Sequence, residues 1–365
     1  MYETVPTPAV VVELNAMENN IKTLLDGAAR YGIAHRPHIK THRSVQLAKK
    51  QLAAGCRGIT CAKLGEAEVM ADAGIDDILV AYALIGKEKW ERYAALSERC
   101  RSLRTIINSE YGAKGLSETA RRHGKVFEVL IELDGGTRRG GLLPGAPALA
   151  FAERVRKYEG IKIVGLLYYP GLSYHEETLA GIERVARQER DDLVETGRLL
   201  QGAGFDCSIL SGGNTVTGKV PECLAGITEI RSGNYIFNDC AQLWKNRVTI
   251  EDCALRIVST VIAKPDEKNV IIDCGTKIMS SDNLTPEHPR FGYVIGHPDA
   301  IIWNLNEEHG FVRCDAGPLD LEVGDRIVII PNHACVVPNL AGALYGMRDG
   351  VFSEMIQVDA QSRSD

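Results

Sequence analysis

The sequence predicts an α/β protein, a (β/α)8 barrel of the TIM type followed by a C-terminal β domain, on three observations. Eight short apolar runs between residues 34 and 237, ending in polar or glycine residues, alternate with amphipathic helical patterns. Past residue 245 that alternation gives way to strands linked by turns, with no helix of comparable length. The Gly-rich dinucleotide turn of a doubly wound sheet is missing after the first strand, which makes that open sheet the lesser alternative.

Residues 7–14 read as a β-branched strand outside the barrel count, and a helix runs from Asn15 to Tyr31. The barrel strands are expected at 34–40, 57–63, 76–84, 103–108, 126–134, 161–169, 206–213 and 227–237. Helical patterns occupy 43–55, 64–74, 87–99, 110–123, 145–158, 177–204 and, shorter, 215–225. Parallel strands joined by crossover helices give this count in a barrel. Strands at 254–264, 269–274, 291–304, 310–314 and 325–337 make the second domain. The expected division is 15–244 for the barrel and 1–14 with 245–365 for the β-rich domain.

A chain of 365 residues exceeds one small core. It has no run of eighteen apolar residues, so no transmembrane helix is expected. Met1-Tyr2-Glu3-Thr4 lacks the basic start and apolar run of a secretory signal, and the expected location is the cytoplasm. The ten cysteines are scattered, several inside apolar runs (Cys61, Cys207, Cys274), and read as reduced core residues. A net charge of −6 without a basic block argues against nucleic acid, so the expected ligands are small.

In a barrel, chemistry collects where strands end. Those ends hold Lys40, Lys63, Tyr82, Asn108, the loop from Asp134 through Arg139 to Gly141, Tyr168-Tyr169-Pro170-Gly171, Ser211-Gly212-Gly213-Asn214-Thr215 and Arg231-Ser232-Gly233-Asn234-Tyr235. The last two suit a phosphate: glycines admit the backbone, hydroxyls donate, and amides face the anion. Each feature alone also has a plain reading, Ser-Gly-Gly as a turn and Lys40 as a solvated loop residue. A phosphate cradle and a lysine at one barrel mouth together suggest pyridoxal phosphate, its aldehyde on Lys40 and its ring the electron sink for a carbanion.

The order of Arg36-Pro37-His38-Ile39-Lys40-Thr41-His42, Arg139-Gly140-Gly141, Gly165-Leu166-Leu167-Tyr168-Tyr169-Pro170-Gly171, Ser211-Gly212-Gly213-Asn214-Thr215, Arg231-Ser232-Gly233-Asn234-Tyr235 and Pro331-Asn332-His333-Ala334-Cys335 resembles the fold-type III pyridoxal phosphate enzymes. Within them the chain resembles the D-threonine aldolase and D-serine dehydratase group, related to alanine racemases, over nearly its whole length. The resemblance implies an alanine racemase-like fold, Lys40 as the Schiff-base lysine, Tyr169 against the cofactor and Arg139 near its ring oxygen. It implies that residues 211–215 and 233–235 hold the phosphate, with Arg231 where alanine racemases set an arginine against the pyridine nitrogen. It also implies a homodimer.

His333 and Cys335 lie two apart on a run read as extended, where alternation puts both on one face, as a zinc chelate requires. Spacing alone is a weak signal and favours a core cysteine beside an incidental histidine. The resemblance implies a divalent ion there, close to the cofactor: zinc first, with manganese or magnesium as alternatives. Such an ion acts as a Lewis acid on a substrate β-hydroxyl. The expected activity is therefore a metal-dependent lyase on D-β-hydroxy amino acids, with Lys40 as base. Dehydration is favoured because the dehydratases resemble this His-x-Cys pair where many D-threonine aldolases show His-x-Asp. Retro-aldol cleavage of D-threonine or 3-hydroxyaspartate is the close alternative. An amino-acid racemase and a non-catalytic pyridoxal phosphate-binding protein are further ones. His38 and His42 read either as tuning Lys40 or as packing, and Cys56 as packing.

Overall fold

A computed structural model describes residues 2–282, 288 and 290–365. Strand β1 (Ala9–Glu13) and helix α1 (Leu14–Ala29) come first. The alternating part follows as β2 (Ala34–His35), α2 (Val45–Ala53), β3 (Ile59–Cys61), α3 (Leu64–Asp72), β4 (Asp77–Ala83), α4 (Lys87–Leu96), β5 (Ser102–Ile107), α5 (Glu110–Arg122), β6 (Phe127–Leu133), α6 (Ala146–Val155), β7 (Ile161–Tyr168), α7 (Leu179–Gly202), β8 (Ile209–Gly212) and β9 (Glu229–Ile230). The rest of the chain gives α8 (Cys240–Leu243), β10 (Leu255–Asp266), β11 (Asn269–Ile272), α9 (Thr276–Met279), β12 (Tyr293–Val294), β13 (Ala300–Leu305), β14 (Gly310–Cys314), β15 (Arg326–Ile330), α10 (Val337–Ala341), β16 (Ala343–Arg348) and β17 (Val351–Gln357).

The chain divides into two compact units. One comprises Thr23–Lys40, Ala48–Gly233 and Arg363–Asp365; the other comprises Met1–Lys22, Thr41–Leu47 and Asn234–Ser362. In the first, eight parallel strands among the described residues run in the order β2-β9-β8-β7-β6-β5-β4-β3. A parallel bridge between His38 and Thr60, with the Thr60 amide donating to the Pro37 carbonyl at 2.8 Å, joins the two ends of that order and closes the ring. This is the expected barrel. Its helices bury one stripe each: on α7, capped by the Thr178 hydroxyl on the Gly181 amide, Ile182, Ala186, Leu193 and Leu200 point inward at helical spacing.

Element ends differ from expectation for local reasons. The first barrel strand stops at His35 because Pro37 has no N–H for a ladder, and Ile39–Thr41 forms a 3₁₀ turn instead. Lys40 is therefore on that turn rather than at a strand end. The expected helix at 215–225 is two 3₁₀ turns, Thr217–Lys219 and Pro221–Leu224, since Pro221 breaks the hydrogen-bond series between them. The last barrel strand is only Glu229–Ile230, because the chain turns at 234–236.

The second unit holds a nine-stranded sheet, among the described residues, in which β1 pairs antiparallel with β10 and parallel with β16. The final hairpin, β16 with β17, is absent from the sequence reading. Its signal was present: Asp349 and Gly350 both take positive φ, 52° and 79°, as a two-residue Asp-Gly hairpin turn requires. The expected strand 325–337 ends at Ile330, ahead of Pro331. His333 and Cys335 therefore sit on a turn before α10, and strand alternation is not what places them. Among the described residues no helix is long and apolar enough to cross a membrane.

The barrel carries a buried ion triad whose arginine belongs to the segment quoted above. Arg36 Nη1 donates to Asp77 at 2.6 Å and its Nε to Glu229 at 3.1 Å, with Arg36 and Glu229 each 2% exposed. Burial opposes the guanidinium charge, and the two carboxylates overcome that opposition and raise its pKa. Removing one partner of such a set leaves buried charge unpaired, at a cost of about 3–5 kcal/mol. Arg36→Met is expected to lower stability by that amount, read as a drop in the urea midpoint. A change below about 1 kcal/mol would mean that the arginine is not what compensates Glu229.

Candidate active site

The turn bearing Lys40 is anchored from both sides. His38 N donates to the Ser232 carbonyl at 3.1 Å, and Arg36 N to the Ile230 carbonyl at 2.9 Å, so β9 fixes the segment up to Ile39. Lys40 itself is exposed, and its amide faces His38 Nδ1 at 3.5 Å. His35 is buried with Nε2 on the Ser232 carbonyl at 3.1 Å; burial lowers its pKa to about 4, so it is neutral and structural. Burial pushes the Cys56 thiol up to about 12, and that thiol lies 3.5 Å from His35 Nδ1, a packing role as expected. His42 is buried, accepts from Ser44 N at 3.0 Å and meets the Phe237 ring edge-on, which favours packing for it too.

Around the barrel, other strand-end residues meet in pairs. Lys63 Nζ lies 3.8 Å from the Tyr82 ring centroid, and Asn108 donates to Glu132 at 2.8 Å. Arg139 and Tyr169, expected near one another around a cofactor ring, are in contact: the guanidinium carbon is 4.2 Å from the ring centroid. The Asp134 carboxylate holds the loop before Arg139 by accepting from Gly136 N and Arg138 N, both at 3.0 Å. At Gly135 a Cβ would stand 2.0 Å from the Tyr169 carbonyl, so only glycine lets these loops approach.

Arg231 is buried and ties three strand ends together. Its Nη1 donates to Ser211 Oγ at 2.8 Å and to the Gly212 carbonyl at 3.2 Å, and its Nη2 to the Tyr168 carbonyl at 2.6 Å. Burial lowers its pKa to about 10, which leaves it charged at neutral pH. These bonds occupy three of a guanidinium's five N–H donors. Ser211 in turn donates to Glu229 at 2.7 Å.

The Asn214 side chain is engaged at every position. Its Oδ1 accepts from Val216 N at 2.8 Å and Thr217 N at 3.0 Å, and its Nδ2 donates to the Pro170 carbonyl at 3.0 Å and Ser173 Oγ at 2.9 Å. This residue shapes the loop and ties it to the segment after Tyr169. Ser232 Oγ donates to the Asn214 carbonyl at 2.7 Å, joining the Ser211–Thr215 loop, with Gly213 and buried Thr215, to the chain leading to Gly233.

In the second unit, Asn234 Nδ2 donates to Asp239 Oδ2 at 2.6 Å, and the same oxygen accepts from Ala334 N at 2.9 Å. This links the turn containing buried Tyr235 to the turn containing His333 and Cys335. His333 Nδ1 is 2.5 Å from Asp282, and Cys335 Sγ is 3.2 Å from Thr41 Oγ1. Burial opposes charge on His333, yet hydrogen-bonded Cys335, Asp282 and nearby Asp239 outweigh it and push its pKa up to about 11. Among the described residues no group of three or more His, Cys, Asp and Glu side chains is placed to hold a metal ion. The two side chains could supply an ion with an imidazole, oriented by a carboxylate, and a sulfur. Asp282 and Asp239 are absent from the sequence reading. Asp282 lies in an irregular stretch where no periodicity marks it.

The alanine racemase N-terminal domain model matches residues 12–240, more than half of the chain. The chain belongs to that family. A serine dehydratase domain model matches residues 254–347, the part where strands and turns replace the helical alternation. D-threo-3-hydroxyaspartate dehydratase of Delftia sp. (strain HT23) is 33% identical, over 91% of this chain and 91% of its own. D-threonine aldolase of Arthrobacter sp is 30% identical, over 99% of this chain and 94% of its own. Among solved structures, a cysteine-to-alanine variant of D-threo-3-hydroxyaspartate dehydratase in the metal-free form has a TM-score of 0.91 at 30% identity, covering 98% of each chain. Within the family this chain is a pyridoxal phosphate-dependent lyase, as the resemblance implied.

Proposed function

We propose that the protein dehydrates a D-β-hydroxy amino acid to a 2-keto acid and ammonia, with Lys40 as base and a divalent ion on His333 and Cys335. The observation that carries this reading is the imidazole–sulfur pair, in a chain 33% identical to a hydroxyaspartate dehydratase over nine-tenths of its length. Both groups fit the residues present. An exposed lysine, glycine-rich loops and an arginine with two unoccupied donors suit pyridoxal phosphate; a sulfur and a carboxylate-oriented imidazole suit zinc.

Bound pyridoxal phosphate supplies the electron sink that acidifies the substrate α-carbon. A divalent ion supplies a Lewis acid for the β-hydroxyl, and its two protein ligands leave positions open for it. Lys40 Nζ removes the α-proton. The hydroxyl leaves as water, and hydrolysis of the released enamine, through its imine tautomer, consumes one water and gives keto acid and ammonia. Arg139, packed on Tyr169, would border the cofactor ring; Ser211, Gly212, Gly213, Thr215, Gly233, Asn234 and Tyr235 would hold the phosphate, while Asn214 keeps its loop in shape. Arg231 would be the residue set against the pyridine nitrogen.

The test is product analysis on D-serine, D-threonine and D-threo-3-hydroxyaspartate beside their L forms. Keto acid and ammonia from the D forms, with no turnover of the L forms, is the expected result. Glycine and an aldehyde would instead establish retro-aldol cleavage, which the similarity to D-threonine aldolase over 99% of this chain keeps as the second reading. Interconversion of enantiomers without either product would establish a racemase.

A further inference from the structure

Glu189 is the charged member of the buried stripe of α7. It is fully buried, between Ala186 and Leu193 in that stripe. Its Oε1 accepts from Gly213 N at 2.6 Å, and a Cβ built on Gly212 would meet that same oxygen at 2.6 Å. The carboxylate thus lies directly against the Ser211–Thr215 loop. Its Oε2 is buried with no hydrogen-bond partner among the described residues. A carboxylate so placed is in neither a salt bridge nor water, which favours its neutral form.

The charged and titratable groups facing it are few. Arg231 approaches from the chain after β9, but its Nη atoms are committed to Ser211, Gly212 and Tyr168. Asp192, one turn on along α7, carries the same sign of charge and accepts from the Tyr168 phenol at 3.1 Å. Burial raises the Glu189 pKa to about 7, against the opposing pull of the Gly213 amide, Arg231 and the Thr217 hydroxyl. Near neutral pH the group is divided between its charged and neutral forms.

We propose that Glu189 couples proton uptake to the seating of a phosphate on the Ser211–Thr215 loop: the side chain takes a proton from solvent as the anion arrives, and releases it when the anion leaves. The proposal rests on the reading of this loop as the phosphate cradle. A phosphate monoester above pH 7 is a dianion, and bringing it beside a buried carboxylate raises that carboxylate's affinity for a proton. Linkage is reciprocal, so the loop's affinity for the dianion falls as Glu189 loses its proton. Glu189 is a positioning residue here, since it holds Gly213 and does not itself meet substrate.

The test titrates full-length protein freed of cofactor with pyridoxal phosphate and, separately, with pyridoxal, from pH 7 to 9, following absorbance. Calorimetry in buffers of different ionisation heat counts the protons taken up. For the wild type, affinity for pyridoxal phosphate is expected to fall with rising pH by up to about tenfold per unit, the limit for one linked proton, with uptake approaching one proton per site. Pyridoxal gives the pH dependence of imine formation, which both ligands share, and the fall and uptake assigned to Glu189 are those in excess of it. Glu189→Gln keeps an oxygen for Gly213 N and cannot ionise; it should bind pyridoxal phosphate with no more slope and no more uptake than pyridoxal shows. Equal slopes and equal uptake in wild type and variant would overturn the proposal. So would uptake by the wild type that is the same with pyridoxal, a result independent of whether the variant folds. Equal affinity of the wild type for the two ligands would instead defeat the phosphate-cradle reading itself.

Discussion

Lys40→Ala is expected to reduce turnover at least about 10³-fold and to leave borohydride no site at which to fix the cofactor, while the fold stays intact. The wild type should be yellow and should carry the reduced cofactor on the tryptic peptide containing Lys40. The size of the effect follows from the two tasks the proposed function gives one side chain: it would hold the cofactor covalently, and its amine would then take the α-proton. Neither task has an obvious deputy. Lys63, on the loop after β3, is the nearest competitor by position, but its ammonium sits on the Tyr82 ring at 3.8 Å. Stability should change by no more than about 0.5 kcal/mol, because Lys40 is exposed and the 3₁₀ turn is held by the backbone of its neighbours. Equal urea midpoints with lost activity would therefore place the effect in chemistry. Reduced label on Lys63 in the wild type would move the site, and the reading of the Pro37-His38-Ile39-Lys40 segment would fall with it.

How much of this was legible depends on whether a feature is local. The barrel alternation was legible because strands of a parallel ring are buried on both faces and read as largely apolar runs, such as 127–133 and 161–168 with only Glu128, Glu132 and Lys162 charged, between amphipathic helices. Lys40 and the glycine loops were legible because they stand where those runs stop. Strand ends were not, since Pro37 and Pro331 cut ladders short at points that hydrophobicity does not mark. The His333–Cys335 pair was found by a spacing argument that the turn replaces: the two side chains meet because the chain bends, and Asp239 fixes that bend through Ala334 N. Asp282 and Glu189 were out of reach for a different reason. Each matters through a partner distant in sequence, 51 residues away for Asp282 and 24 for Glu189. Only Glu189 left a trace, a charged residue on an otherwise apolar helix stripe. Asn214 was assigned to the anion on composition, and the structure shows its side chain fully occupied in shaping the loop.

Chelation is expected to abolish dehydration while the cofactor's absorption band and the urea midpoint stay nearly unchanged, and Cys335→Ala should do the same without a chelator. The reason lies in the ligand count. Two protein donors cannot close a tetrahedral shell, so an ion on His333 and Cys335, as proposed, would contribute through its open positions and not as a structural staple. A structural zinc would cost the fold on removal, which the midpoint detects. Asp282 on Nδ1 leaves Nε2 as the nitrogen available to the ion, so Asp282→Asn should weaken metal affinity by about 10–100-fold while leaving both ligands in place. Added zinc or manganese should restore the chelated wild type and not the Cys335→Ala variant. Preference for zinc would follow from the thiolate, and a Cys335→Asp variant should shift that preference toward manganese, as a harder oxygen donor does. Full activity in protein shown to be metal-free would mean that the β-hydroxyl leaves unaided. The pair would then be a structural contact of the turn, and the Lewis-acid role would fall while dehydration stood.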